Sequence, residues 1–117
     1  MRTTDLEEEL FLLANLSPLF TGLPFVVWIS PRGNARHDIR VKVSLGTKAL
    51  PDNLLTVALR PVLRVIGDDT LASEQLRALG EWVELNWDAL LSYWNGEIFT
   101  EEAIERLKPV SGTTVSG

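Results

Sequence analysis

His37 is the single histidine of a 117-residue chain, and it stands between Arg36 and Asp38. An imidazole titrates near ~6.5, so a histidine beside a carboxylate and arginines has the makings of a general base, for instance toward a phosphate ester. The companions of that chemistry are absent from the sequence. There is no Gly-x-Ser-x-Gly, no cysteine and no second histidine to share a metal. The plainer reading of His37 is an exposed turn residue loosely paired with Asp38. Its surroundings are more telling. Arg32, Arg36, Arg40, Lys42 and Lys48 lie between Pro31 and Lys48 against Asp38 alone, so this segment carries +4 in a chain of net charge −5. Arg40 and Lys42 are two apart in an alternating run and share a strand face, with the loop arginines beside them. Arg32, Arg36, His37, Arg40 and Lys42 are therefore the candidate binding residues, suited by the guanidinium fork to phosphate or to an acidic partner. The competing reading is a solvated strand face that balances acidic helices.

Acidic residues raise the question of a metal. Glu81, Glu84 and Asp88 share one helix face, and Asp68 and Asp69 precede that helix. Three acids at such spacing are the ordinary polar face of an amphipathic helix, so no metal and no cofactor are expected. Pro31-Arg-Gly33-Asn holds one glycine, too few for a phosphate-cradling loop, and reads as a plain turn.

The elements that would position these residues follow from periodicity. Ser73 to Asn95 predicts one long helix with a stripe of Leu76, Leu79, Val83, Trp87, Leu90 and Trp94, closed by Asn95-Gly96. Three of the four tryptophans lie in it, and each can bury ~150–250 Å². Trp82, Leu85 and Tyr93 fall off that stripe. Either a terminal helix covers them or they form a partner surface for a homo-oligomer. Thr4 to Leu16 predicts a first helix with a Thr4/Glu7 capping box, stopped by Ser17-Pro18. Pro18 to Pro24 reads as a connector. Phe25 to Ile29 predicts a central strand. Ile39 to Leu45 predicts a strand whose Arg40, Lys42 and Ser44 face water. Leu54 to Ile66 fits both periods. Pro61 decides for a strand, because an edge strand or bulge tolerates proline and a helix interior does not. Thr100 is expected to cap a short helix to Leu107. The fold class expected is α+β: a small antiparallel sheet of about three strands packed on one long amphipathic helix, with short N- and C-terminal helices. Residues 1–110 would form one domain and 111–117 a flexible tail.

Composition bounds the rest. A hydrophobic fraction of 45 % suits a globular domain, and the absence of cysteine excludes disulfides and thiolate chemistry. The first nine residues are polar and acidic, unlike a secretory signal, and no apolar run approaches the ~20 residues of a membrane span. A cytoplasmic protein without membrane association is expected. The net negative charge does not favour nucleic acid as a partner.

Glu81-Trp-Val-Glu-Leu-Asn86, Leu90-Leu-Ser-Tyr-Trp-Asn-Gly-Glu-Ile98 and Glu105-Arg-Leu-Lys-Pro109 resemble the C-terminal half of a group of small bacterial uncharacterised proteins. That group pairs a tryptophan helix and a Leu-Leu-x-x-Trp segment with a basic tail, and some members are encoded beside toxin–antitoxin partners. The resemblance implies a short sheet followed by the helix, and a place in a two-protein system. It covers about the last third of the chain. The Pro-x-His-x-His type strand expected upstream is missing, with Arg36-His37-Asp38 near its place, and the first helix is additional. The expectation is a small bacterial, non-catalytic interaction module. It would bind a protein partner or its own copy. The alternative is a hydrolase using His37.

Overall fold

The computed structural model of the protein describes residues 14–32, 38–45, 54–67 and 70–110. Among them a five-stranded sheet forms: β1 (Ala14–Leu16), β2 (Val26–Ile29), β3 (Arg40–Ser44), β4 (Leu55–Ala58) and β5 (Arg64–Val65). The strands lie in chain order and every neighbouring pair is antiparallel, so the sheet is an up-and-down meander. A helical turn, α1 (Pro18–Thr21), separates β1 from β2, and three helices follow the sheet: α2 (Ser73–Leu85), α3 (Trp87–Trp94) and α4 (Thr100–Arg106).

This α+β arrangement overturns the expectation of about three strands on one long helix. The first added strand is β1. Residues 4–13 of the expected N-terminal helix lie outside the described residues, but its end, Ala14–Leu16, is extended and pairs with Val27–Ile29. Leu16 is buried and Asn15 exposed, the alternation of a strand. The second added strand comes from dividing Leu54–Ile66. Leu55–Ala58 and Arg64–Val65 are the two arms of a hairpin, and Pro61 sits in the connection, after a cis Arg60–Pro61 peptide, where no ladder bond is asked of it. Within the expected connector, Ser17 caps α1 by accepting the Phe20 N–H at 3.3 Å, and Gly22 closes it at φ 81°.

The long helix is also two helices. Asn86 separates α2 from α3 with φ −113° and ψ 18°. Its Nδ2 donates to the Trp82 carbonyl at 3.0 Å, competing with the helix backbone for that acceptor. The same amide clamps the chain beyond α4: Nδ2 donates to the Lys108 carbonyl at 2.9 Å, and Oδ1 accepts the Lys108 N–H at 2.7 Å. Asn86 is 4 % exposed, so these bonds satisfy a buried amide that would otherwise be costly. The buried stripe runs through Leu79, Trp82, Val83, Asn86, Ala89, Leu90, Tyr93 and Trp94, while Leu76 and Trp87 are half-buried. The helix face toward the sheet is thus turned from the expected stripe toward the Trp82/Tyr93 flank.

Cross-strand register sorts the sheet into two faces. Leu16, Val27, Ile29, Val41, Val43 and Val57 share one core with Leu79, Trp82, Val83, Leu90 and Trp94 of the helices. The other face carries Trp28, Lys42 and Thr56 side by side, with Val26 opposite Ser44 and Arg40 opposite Ala58. It is not the wet face expected. Val26, Trp28, Ser44 and Ala58 are buried, and Arg40 and Lys42 are half-buried. Trp28 Nε1 donates to Ser44 Oγ at 3.3 Å, and Lys42 Nζ donates to Thr56 Oγ1 at 3.1 Å. Thr100 is the first residue of α4 rather than its cap. Phe99 holds the cap position, and the Thr100 hydroxyl meets that of Tyr93 at 2.9 Å. The β4–β5 hairpin reaches α2 at Gly80, where an added Cβ would stand 3.3 Å from Leu63 Cδ2. Among the described residues, no helix is long and apolar enough to cross a membrane.

Two stability outcomes follow. Asn86→Ala strands the peptide groups of Lys108 and should cost about 2–3 kcal/mol in urea unfolding, with faster amide exchange over α4. Gly80→Val overfills the contact with Leu63 and should cost about 1–3 kcal/mol. In a Leu63→Ala background the added cost should shrink, and additive costs would refute the contact.

Candidate functional site

The end of the sheet where β2 leaves, β3 enters and β4 turns into β5 faces α3 across an open cleft of about 580 Å³. Its floor is apolar: Ile39 and Trp94 are buried and Leu91 is half-buried. Its rim carries Arg32, Asp38, Arg60, Pro61 and Asn95. Backbone pairing brings the walls together, since the Arg32 N–H donates to the Trp94 carbonyl at 2.8 Å and the Leu59 N–H to the Ile39 carbonyl at 3.1 Å.

Arg60 is held on the rim by three contacts. Its guanidinium carbon lies 3.8 Å from the centroid of the Trp87 ring. Nη1 donates to the Leu59 carbonyl at 3.0 Å, and Nη2 meets Glu84 Oε2 at 3.2 Å. Cation–π stacking of this kind contributes ~0.5–1 kcal/mol at exposed sites and more as water is excluded. The exposed ion pair adds ~1 kcal/mol at most, because the Glu84 side chain is 69 % exposed. Together they hold a cation over the Trp87 ring on the rim of the cleft. Trp87 can serve here because the break at Asn86 leaves it half-buried at the start of α3. Trp87 also borders a second depression of about 390 Å³, and it is this depression, with Arg106 and Lys108, that Glu84 lines.

The residues expected from the sequence are scattered by the fold. Arg32 is exposed and lines the cleft. Arg36, His37 and Lys48 lie outside the described residues. Arg40 and Lys42 stand on the sheet face turned from the helices, so neither joins Arg32. Trp28 shares that face with Lys42 and is 6 % exposed, so its ring is not presented at the surface. Of the flank expected as an interface, Trp82 is 0 % and Tyr93 3 % exposed, and Leu85 alone of the three is open, at 51 %. Tyr93 is covered in the way expected of a terminal helix, by Thr100 of α4. Glu81, Glu84 and Asp88 are exposed, Asp68 and Asp69 lie outside the described residues, and among the described residues no group of three or more acidic or histidine side chains could hold a metal. Arg60 and Trp87 were not read as site residues. Arg60 was hidden inside a presumed strand and Trp87 inside a presumed core stripe. The available signal was an arginine beside proline between two apolar runs, which places a cation in a turn.

Trp28, Trp82 and Trp94 are buried, so Trp87 should account for most of the fluorescence quenched by acrylamide. Trp87→Phe should remove the quenchable fraction, and Arg60→Ala should raise the quenching constant by uncovering the ring. Equal quenching in wild type and Arg60→Ala would refute the stack.

Comparison with models of known families, with curated proteins and with solved structures found no match for the chain.

Proposed function

We propose that the protein is a non-catalytic binding module that holds an acidic segment of a partner protein in the cleft between Pro61 and Trp94. The observation that carries this reading is the Arg60 guanidinium held over the Trp87 ring, 3.8 Å from its centroid, on the cleft rim. A flexible surface arginine loses rotamer freedom when it binds an anion. One already fixed by a ring, a carbonyl and a carboxylate has lost most of that freedom in the free protein. Half-buried Leu91 and Trp87 on the cleft lining add burial for a neighbouring aliphatic side chain. A protein partner is preferred to nucleic acid because the chain is net −5. Duplex DNA presents one charge per ~1.7 Å and is repelled more strongly than scattered carboxylates. A partner protein is also what the two-protein arrangement implied by the C-terminal resemblance would supply.

Selection of random twelve-residue peptides displayed on phage against the immobilised protein tests the reading. Enriched peptides should place Asp or Glu beside Leu, Ile or Val. Their binding should weaken as salt rises and should fall at least ten-fold against Arg60→Ala. The reading fails if no such class is enriched, or if Arg60→Ala binds the same peptides equally well. Tighter, Arg60-dependent binding of a twelve-nucleotide oligothymidylate would overturn it in favour of nucleic acid.

A further inference from the structure

We infer that the second sheet face is a docking surface for the chain's own residues 1–13, which close it with Leu6, Leu10 and Leu13. The inference stands apart from the cleft. Val26, Trp28, Ser44 and Ala58 lie on that face and are each at most 6 % exposed. Val26, Trp28 and Ala58 stand outside the core that the helices share with the first face. The buried apolar residues of α2, α3 and α4 all belong to that core, so these helices do not cover the second face. An antiparallel sheet face open to water leaves its side chains partly exposed. Here the centre of the second face is as closed as the first, with Arg40 and Lys42 half-buried beside it. The face is closed in a single chain, so the cover belongs to that chain.

Apolar content selects the segment. Closing a tryptophan takes ~150–250 Å² of surface out of water, so the cover must bring several large apolar side chains. Residues 33–37, 68–69 and 111–117 hold only Ala35 and Val115, and residues 46–53 hold Ala49, Leu50 and Pro51. Residues 1–13 hold Leu6, Leu10, Phe11, Leu12 and Leu13, with Leu6, Leu10 and Leu13 at spacings of four and three. Position and reach agree. Residue 13 leads directly into Ala14 of β1, the strand paired with β2. Even coiled as a helix, residues 4–13 span ~15 Å. Four adjacent strands span ~14 Å from first to last, so the segment reaches from β1 across Trp28 to β4. Charge agrees as well. The segment carries Asp5, Glu7, Glu8 and Glu9 against Arg2, and the face carries Arg40 and Lys42. Arg40 and Lys42 thereby serve the chain's own acidic segment rather than an external anion.

A nitroxide attached at Glu8→Cys in the full chain, which has no other cysteine, tests the docking through the indole N–H resonances. The Trp28 indole should be broadened most, and those of Trp82 and Trp94, in the core on the helix side, less. Broadening of Trp28 no stronger than that of Trp82 would overturn the inference. A mixture of nitroxide-bearing chain with isotope-enriched, unlabelled chain identifies the source. Trp28 broadened in that mixture would assign the cover to a second copy and overturn the inference also. In the double variant Leu6→Gln, Leu10→Gln, hydrogen exchange of the Trp28 indole should quicken roughly ten-fold or more while that of Trp82 holds. Unchanged exchange at Trp28, or equal quickening at Trp82, would count against docking on this face and sink it.

Discussion

Asn86 places one buried amide where three stretches of backbone meet. Its side chain reaches the Trp82 carbonyl within its own helix and both polar groups of the Lys108 peptide beyond α4. An unpaired amide at that depth costs several kcal/mol, so the tail after α4 is required to lie against the α2–α3 joint. The tail continues from there to the Val110 N–H, which donates to the Thr21 carbonyl at 2.8 Å. The last described residues are thereby tied to the short turn between β1 and β2. The same amide interrupts the helix. Had α2 run on unbroken, Trp87 would have stayed on the stripe with Val83 and Leu90. With the break, Leu90 and Trp94 remain buried while Trp87 is half-exposed and available to Arg60.

The meander gives the cleft its other wall. In an up-and-down sheet, alternate connections gather at one end. Here that end collects Arg32 after β2, Asp38 before β3 and Arg60 after β4. They come from two connections separated in sequence by β3 and β4, and they lie outside the strands, where side chains are free of the alternation imposed there. The basic residues that do sit on a strand, Arg40 and Lys42, obey that alternation and face away from the helices with Trp28 and Thr56. Strand phase, rather than charge, therefore decides which cations can act together.

Much of the architecture was legible in periodicity and little of the site was. The apolar run at Phe25 and the alternation from Ile39 gave β2 and β3 within a residue or so, and Thr100 to Arg106 was found as a helix. The strand at Ala14–Leu16 was missed because three residues hold too little pattern to outweigh an apparent helix ahead of Ser17-Pro18. Pro61 was weighed as a strand residue and is a turn residue, since the two arms it separates are each too short to stand out. Asn86 is the instructive failure. A polar residue on a buried stripe reads as a flank, and the partner that satisfies it lies 22 residues away in sequence. A long-range contact of that kind leaves no local signature, and both the helix break and the exposure of Trp87 depend on it.

The charge distribution takes on a different meaning once the fold is known. Read along the chain, the positive segment from Pro31 to Lys48 stood out against an acidic remainder. In three dimensions the described part of that segment divides between the cleft rim and the second sheet face, and the cation stacked on Trp87, Arg60, comes from outside it. Fields from exposed charges fade over a Debye length of ~8 Å at physiological salt, so one carboxylate in the cleft senses its immediate neighbours first, while the net charge of −5 weighs on an extended polyanion that runs across the surface. Arg60 is held by the Trp87 ring, the Leu59 carbonyl and the Glu84 carboxylate together. An acidic protein can present a positively charged group at a cleft wherever packing immobilises one guanidinium.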